Sequence, residues 1–186
     1  LVSLLPELPS IRQVIYTGSY AVYGDRGGEW VDESSPIAPA NENGEILAQT
    51  EQILLAAARK TLNVCVFRLG GIYGEGRELV RIFRRAAGMT RPGDGTDASN
   101  WIHLEDIVGA IDFALQHQLG GIYNLVDDSH LTTGKLIAGI LEKHGLPSVI
   151  WDASQPSSRP YNAKVSNQKL KEVGYRFLRP QIILDR

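Results

Sequence analysis

The sequence predicts an α/β fold built on an open parallel sheet, and three observations carry that expectation. Apolar runs of strand length, rich in β-branched residues, recur at residues 12–17, 63–68 and 121–126. Amphipathic helical segments alternate with them, at 45–60, 105–116 and 135–144. The first run stops on small polar residues, Thr17-Gly18-Ser19, as a buried strand does where a parallel sheet opens its carboxyl edge to a ligand. Strand, helix, strand repeated in this way is the grammar of right-handed crossovers. Three or four such strands leave one sheet edge uncovered.

The elements follow in order. Residues 1–9 read as the last turns of a helix, ended by Pro6 and Pro9. Residues 20–39 form a long connection marked by Gly24, Gly27, Gly28, Pro36 and Pro39. In the helix over 45–60, preceded by Asn43-Gly44, Ile46, Leu47, Ile53, Leu54 and Ala57 fall on helical spacing. Gly70, Gly71, Gly74 and Gly76 mark a sharp, open loop after the second strand. A helix over 78–87 leads into a polar, glycine-rich stretch, 89–100, expected to be a mobile loop. Residues 101–103 are a short strand. Thr132 or Thr133 can cap the helix over 135–144, which Gly145 and Pro147 end. Residues 149–151 suit a final strand, and 166–172 a short helix capped by Ser166.

Bulk properties narrow the function. The chain has 186 residues, 43% of them hydrophobic and 22% charged, enough for one soluble domain with a sizeable core. A net charge of -2 gives no electrostatic case for nucleic acid or an anionic membrane as the main partner. The basic residues between Arg77 and Arg91 read as a solvated helix face. No apolar run reaches membrane-spanning length and no signal peptide is visible. The single cysteine, Cys65, sits in an apolar run and reads as a buried core thiol, which fits the cytoplasm or another reducing soluble compartment. The histidines are scattered, so no metal site is expected. Position 1 is Leu and the one methionine is Met89, so an earlier part of the domain is expected upstream. Without it, the chain is expected not to fold alone, or to fold against a partner.

Five stretches, in this order, resemble the extended short-chain dehydrogenase/reductase superfamily, the nucleotide-sugar epimerases and dehydratases. Thr17-Gly-Ser-Tyr-Ala-Val-Tyr-Gly24 is similar to its Ser-Ser-x-x-x-Val-Tyr-Gly block. Asp32-Glu33 with Pro36 and Pro39 resembles the approach to its catalytic helix. Phe67-Arg-Leu-Gly-Gly-Ile-Tyr-Gly-Glu-Gly-Arg77 resembles its Arg-x-x-Asn-x-Tyr-Gly-Pro-Gly loop. Trp101-Ile-His-Leu-Glu-Asp-Ile-Val108 resembles its aromatic-Ile-His-Val-x-Asp block, and Gly121-Ile-Tyr-Asn124 and Ser166-Asn-Gln-Lys-Leu170 match later landmarks. The resemblance implies a partial Rossmann-like, doubly wound parallel sheet with a small C-terminal substrate lobe. Residues 1–130 would be the later part of an NAD(P)-binding domain, with a substrate-lobe insertion at about 75–103, and residues 131–186 the lobe itself. It implies NAD or NADP as cofactor and a nucleotide-sugar-like substrate. A homodimer or larger assembly is also implied, with dimer contact through the helix that carries Leu47, Leu54 and Leu55.

The family's chemistry uses a Tyr four residues before a Lys on one helix, where the ammonium lowers the phenol pKa. Carried over, the Tyr position is Asn43 and the Lys position Leu47. An amide has no useful pKa and a leucine adds no charge. Tyr73 with Arg77 and Tyr175 with Arg179 have the spacing but lie on other segments. Ser19 keeps the catalytic Ser position. Thr17, Gly18, Ser19, Leu69, Gly70 and Ile72 occupy the cofactor positions. Gly71 stands where the family has the substrate-loop Asn, and Ser99 near the Arg that grips the substrate diphosphate. Arg159 matches a later diphosphate-contacting Arg, or is an exposed arginine in a proline-rich loop. His103 reads as a structural hydrogen-bonding residue and Asp106 as a residue near a helix start. Asp127-Asp128 reads as a solvated turn, and Trp30 and Trp151 as packing or interface residues. Tyr20 and Tyr23 are the phenols nearest Ser19 in sequence. The pattern resembles the atypical members of the superfamily that lack the Tyr/Lys pair. It implies either an oxidoreductase or epimerase of unusual mechanism, or a catalytically inactive scaffold acting as a binding or assembly subunit.

Overall fold

A computed structural model describes Leu5 and residues 10–184. The helical tail expected at 1–9 lies, apart from Leu5, outside the described residues. In chain order the elements are β1 (Gln13–Ser19), a 3-10 turn (Tyr20–Tyr23), β2 (Asp25–Val31), α1 (Glu42–Ala56), β3 (Asn63–Leu69) and β4 (Gly71–Tyr73). There follow α2 (Leu79–Phe83), a 3-10 turn (Arg84–Ala86), β5 (Thr90–Pro92), β6 (Ala98–Ser99), β7 (Trp101–His103) and α3 (Leu104–His117). The last are β8 (Gly121–Leu125), β9 (Leu131–Thr132), α4 (Thr133–Lys143), β10 (Ile150–Asp152), β11 (Asn162–Val165) and α5 (Gln168–Glu172).

The central sheet is parallel, in the order β1-β3-β8. Its middle strand explains the two-layered cover. Cys65, Phe67 and Leu69 point to one face, where Ile107, Ala110 and Ala114 of α3 and Leu170 of α5 pack on them. Val64 and Val66 point to the other, against Leu54 of α1, Leu62 and Leu5. Alternation on a strand buried on both sides produces this split, with helices on both faces of a parallel sheet. β1 forms the edge of the sheet, so its burial is only partial.

The helix α1 corrects the sequence-based face. Its buried residues are Gly44, Ala48, Glu51 and Leu54, whereas Ile46 and Ile53 are more than half exposed. Small residues let the helix approach the sheet, and Glu51 is drawn inward by Arg68, the one charged residue of β3. Leu54, expected at a dimer contact, packs in the core instead, and Leu55 lies against the same cluster. The helix also begins earlier than expected. Asn41 is its N-cap, its side-chain oxygen accepting from Gly44 N at 3.0 Å, so Asn43 lies in the first turn.

Beside the central sheet, short ladders tie distant segments together. β2 pairs in parallel with β11, β5 with β10 and β4 with β7, and β6 pairs antiparallel with β9. The stretch expected to be a mobile loop at 89–100 therefore contains two strands. The connection at 20–39 contains β2, and the loop after β3 contains β4. Gly24 is forced by geometry. Its φ is +69°, and a Cβ there would stand 1.9 Å from the Ala38 carbonyl oxygen. The cap expected at Ser166 moves by one residue: Asn167 is the N-cap of α5 and makes no side-chain cap bond, its amide donating instead to Val126 O and to Asp128, while Ser166 Oγ, one residue earlier, accepts from Gln168 N at 3.3 Å.

Candidate functional site

The carboxyl ends of β1 and β3 open into a cleft of about 320 Å³. Ser19, Gly70, Gly71, Ser99 and Arg159, from four separate stretches of chain, all line it. Tyr20, Asn100, Arg91, Thr133 and Tyr161 complete its polar wall. Of the remaining expected cofactor residues, Leu69 and Ile72 pack in the core beneath it and Thr17 is exposed on the edge strand. Gly18 is filled from the protein's own side: a Cβ there would meet the Tyr16 ring at 3.1 Å and Glu51 Oε1 at 3.3 Å.

Each wall residue has a local cause. Ser19 ends β1 in extended backbone and caps the 3-10 turn, its Oγ accepting from Ala21 N at 3.2 Å. That bond uses the oxygen and leaves the hydroxyl hydrogen to donate. Gly71 N donates to Asn100 O at 2.8 Å, which draws β4 against β7. The Trp101 indole fills the space where a larger residue at 71 would stand, because a Cβ would meet the ring at 2.9 Å. The asparagine expected from the family loop has no room here. Ser99 is equally committed: its Oγ accepts from Trp101 Nε1 at 2.7 Å. Asn100 clamps β11 from both sides, donating to Ala163 O at 2.8 Å and accepting from Val165 N at 3.0 Å.

Arg159 is half-buried, not an exposed loop residue. It donates through Nη1 to Thr133 Oγ1 and through Nη2 to Tyr20 Oη at 3.1 Å. Its guanidinium lies 5.4 Å from the Tyr161 ring centre, and Tyr161 stands edge-on to Tyr20 at 5.3 Å. Arg91 also corrects the sequence reading. It belongs to β5 and lines the cleft, whereas Arg81, on α2, pairs with Glu78 at the surface. The sequence held one signal for this: Gly88 separates Arg91 from the helical arginines.

Position 43 is exposed and position 47 half-buried, and neither lines the cleft. The other two Tyr/Arg pairs are engaged elsewhere. Arg77 donates to Ile72 O, Tyr175 Oη to Asp106, and Arg179 to Glu105. His103 caps α3, its Nδ1 accepting from Glu105 N. Asp106 is buried and accepts from Leu178 N and Arg179 N. Asp127 departs from the expected solvated turn. It is 4% exposed, one carboxylate oxygen accepts from Ser129 N, and the other has no partner among the described residues. Burial raises its pKa to about 6. Trp30 stacks edge-on against His130, and Trp151 covers Gly95. Burial pushes the Cys65 thiol up to about 12.

The small floor of Ser19, Gly70 and Gly71 fits a flat ring approaching the strand ends, with one hydroxyl to meet it.

Comparison with known proteins decides the family. The NAD dependent epimerase/dehydratase family profile matches residues 1–125. The chain belongs to this family. It is 39% identical over 121 residues to Protein YeeZ of Escherichia coli K12, a match covering 64% of the chain and 42% of that protein. The chain thus spans about two fifths of the curated relatives it matches. A conserved protein of unknown function from Silicibacter pomeroyi DSS is 30% identical, with a TM-score of 0.81 over 97% of this chain and 68% of that one. The UDP-glucose 4-epimerase of Thermus thermophilus, solved with NAD, superposes with a TM-score of 0.74 at 22% identity, covering 97% of this chain and 63% of that one. That likeness shows the shared fold. Among the described residues, no helix is long and apolar enough to cross a membrane.

Proposed function

We propose that this chain forms the substrate side and the nicotinamide end of an NAD(P)-binding site, and that its ligand is a nucleotide-sugar-like molecule. The observation that carries the reading is the gathering of Ser19, Gly70, Gly71 and Arg159 at one cleft. Bound NAD(P) would supply or accept the hydride. Ser19 Oγ donates to the substrate oxygen at the strand end. Arg159, with Arg91 in the same cleft, offers positive charge to a diphosphate. Thr133 and Tyr161 hold the Arg159 fork in place, so little side-chain freedom is lost on binding. The usual proton couple is missing at Asn43 and Leu47, so any turnover follows a different proton route. A second reading, a scaffold that binds nucleotide without turning it over, is favoured by the same two positions.

Two titrations of the intact protein test this. NADH and NADPH binding is followed by nicotinamide fluorescence, and UDP-glucose binding by calorimetry. Binding of both is expected, with Arg159→Ala weakening UDP-glucose by about tenfold or more, the range for losing a charged hydrogen-bonding group. Unchanged affinity in Arg159→Ala would remove the diphosphate assignment. Binding without conversion of any nucleotide sugar would favour the scaffold.

A further inference from the structure

We infer that Tyr20 is the proton donor of the cleft, delivering its phenol hydrogen to the substrate oxygen while Arg159 holds its own oxygen; this rests on the cleft taking a nucleotide-sugar-like substrate. Tyr20 directly follows Ser19 and is fixed by the 3-10 turn that Ser19 caps. The two side chains line the same cleft. Tyr20 is only 6% exposed, yet its oxygen acts as an acceptor, taking the hydrogen bond from Arg159 Nη2 at 3.1 Å. Its other side-chain neighbour is Asn100, whose Oδ1 already accepts from Val165 N and whose Nδ2 donates to Ala163 O, so no acceptor among the described residues is given over to the Tyr20 O–H. A buried phenol with a purely structural role normally donates to a protein acceptor, as Tyr23 does to Asn124 Oδ1 and Tyr175 to Asp106. Tyr20 instead keeps a donor in reserve at a ligand cleft.

Arg159 is itself immobilised by Thr133 and by the Tyr161 face. The couple is therefore a phenol and a fixed cation, built from residues 20 and 159 where the family helix has none. The titratable or charged groups that face Tyr20 are Arg159 and Tyr161, with Arg91 in the same cleft. Burial raises the phenol pKa, and this outweighs Arg159 and the Asn100 side chain, which favour the phenolate. Tyr20 therefore stays protonated at neutral pH and acts as an acid, which suits carbonyl reduction. Bound NAD(P)H would supply hydride to the carbonyl carbon; the part of Tyr20 is to give its proton to the carbonyl oxygen, a new O–H bond forming there as the Tyr20 O–H bond breaks. The phenolate left beside Arg159 then regains a proton from water.

The test labels tyrosine with carbon-13 at the ring carbon bearing oxygen, in the intact protein with UDP-glucose as probe. Loss of one resonance in Tyr20→Phe assigns Tyr20. Should that variant fold poorly, Arg159→Met identifies the same resonance as the tyrosine whose titration moves to higher pH. UDP-glucose is expected to shift the Tyr20 resonance and leave those of Tyr123 and Tyr175 in place. Tyr20→Phe is expected to keep UDP-glucose affinity within about threefold, while any NADH- or NADPH-dependent reduction of a keto nucleotide sugar falls about 100-fold or more, the scale of lost general-acid catalysis. UDP-glucose binding with the Tyr20 resonance unmoved would overturn the assignment and leave the nucleotide-sugar reading intact. No binding at all would overturn both.

Discussion

Replacing Glu51 by alanine strands a buried positive charge beneath the cleft. Glu51 and Arg68 are 2% and 4% exposed, and three hydrogen bonds of 2.8–3.2 Å join them. Arg68 also lies over the Tyr23 ring at 4.8 Å, and Tyr23 donates to Asn124 Oδ1, so one network links α1, β3, β8 and the turn after β1. Arg68 Nη1 is already buried without a partner among the described residues, so little remains to compensate a lost carboxylate. Removing one member of such a pair costs about 3–5 kcal/mol. In a chain of this size each kcal/mol moves Tm by about 2–4 °C, so the expected fall is roughly 6–20 °C. Thermal unfolding followed by far-ultraviolet circular dichroism reads it. The double variant Glu51→Leu with Arg68→Met should recover most of the loss, because apolar groups of similar volume replace both charges. A fall of less than about 3 °C for Glu51→Ala, or a double variant less stable than the single, would refute this account of the network.

Two further expectations follow from buried titratable groups. Asp127 has its pKa raised by burial to about 6, against an ordinary 3.8. The unfolded chain then releases this proton first, so stability is full below about pH 4 and is lost as pH rises to about 6, by up to roughly 3 kcal/mol. Asp127→Asn cannot ionise, so urea unfolding at about pH 4 and pH 7 should show the variant gaining on the parent as pH rises; a constant gap would contradict it. The thiol of Cys65 is held protonated by burial, its pKa near 12 rather than 9.0. Its reaction with a disulfide reagent at about pH 8 should be at least roughly 100-fold slower in the native protein than in denaturant. Equal rates would show that β3 opens readily.

The sheet and its two main covering helices were legible because their signals are local. β3 is an apolar run, and α3 shows one apolar face with His103 before it. What escaped reading depends on partners far away in sequence. β2, with Gly27 and Gly28 inside it, becomes a strand only because β11 lies beside it, more than 130 residues later. β5 and β6 were hidden in a polar stretch for the same reason. Glu51 looks like a solvent-facing residue of α1 until Arg68 is placed beneath it, and the apolar Ile46 and Ile53 then turn outward. Asp127 looked solvated because it follows a strand and precedes another aspartate. For the cleft, motif order indicated Ser19, Gly70, Gly71 and Arg159. Asn100, Thr133 and Tyr161 carry no motif and emerge only from the fold, and for Arg91 the sequence offers only Gly88, which sets it apart from the helical arginines. Gly71 has a steric reason that no pattern contains, the Trp101 ring against it.

The most direct measurement is a crystal structure of the intact protein with NAD and UDP-glucose bound together. The nicotinamide ring is expected against Ser19, Gly70 and Gly71, the diphosphate on Arg159, and Tyr20 Oη within hydrogen-bond distance of a sugar oxygen, with Asn43 and Leu47 touching neither ligand. A sugar held by Asn43, or a nicotinamide ring away from the end of β1, would contradict the account.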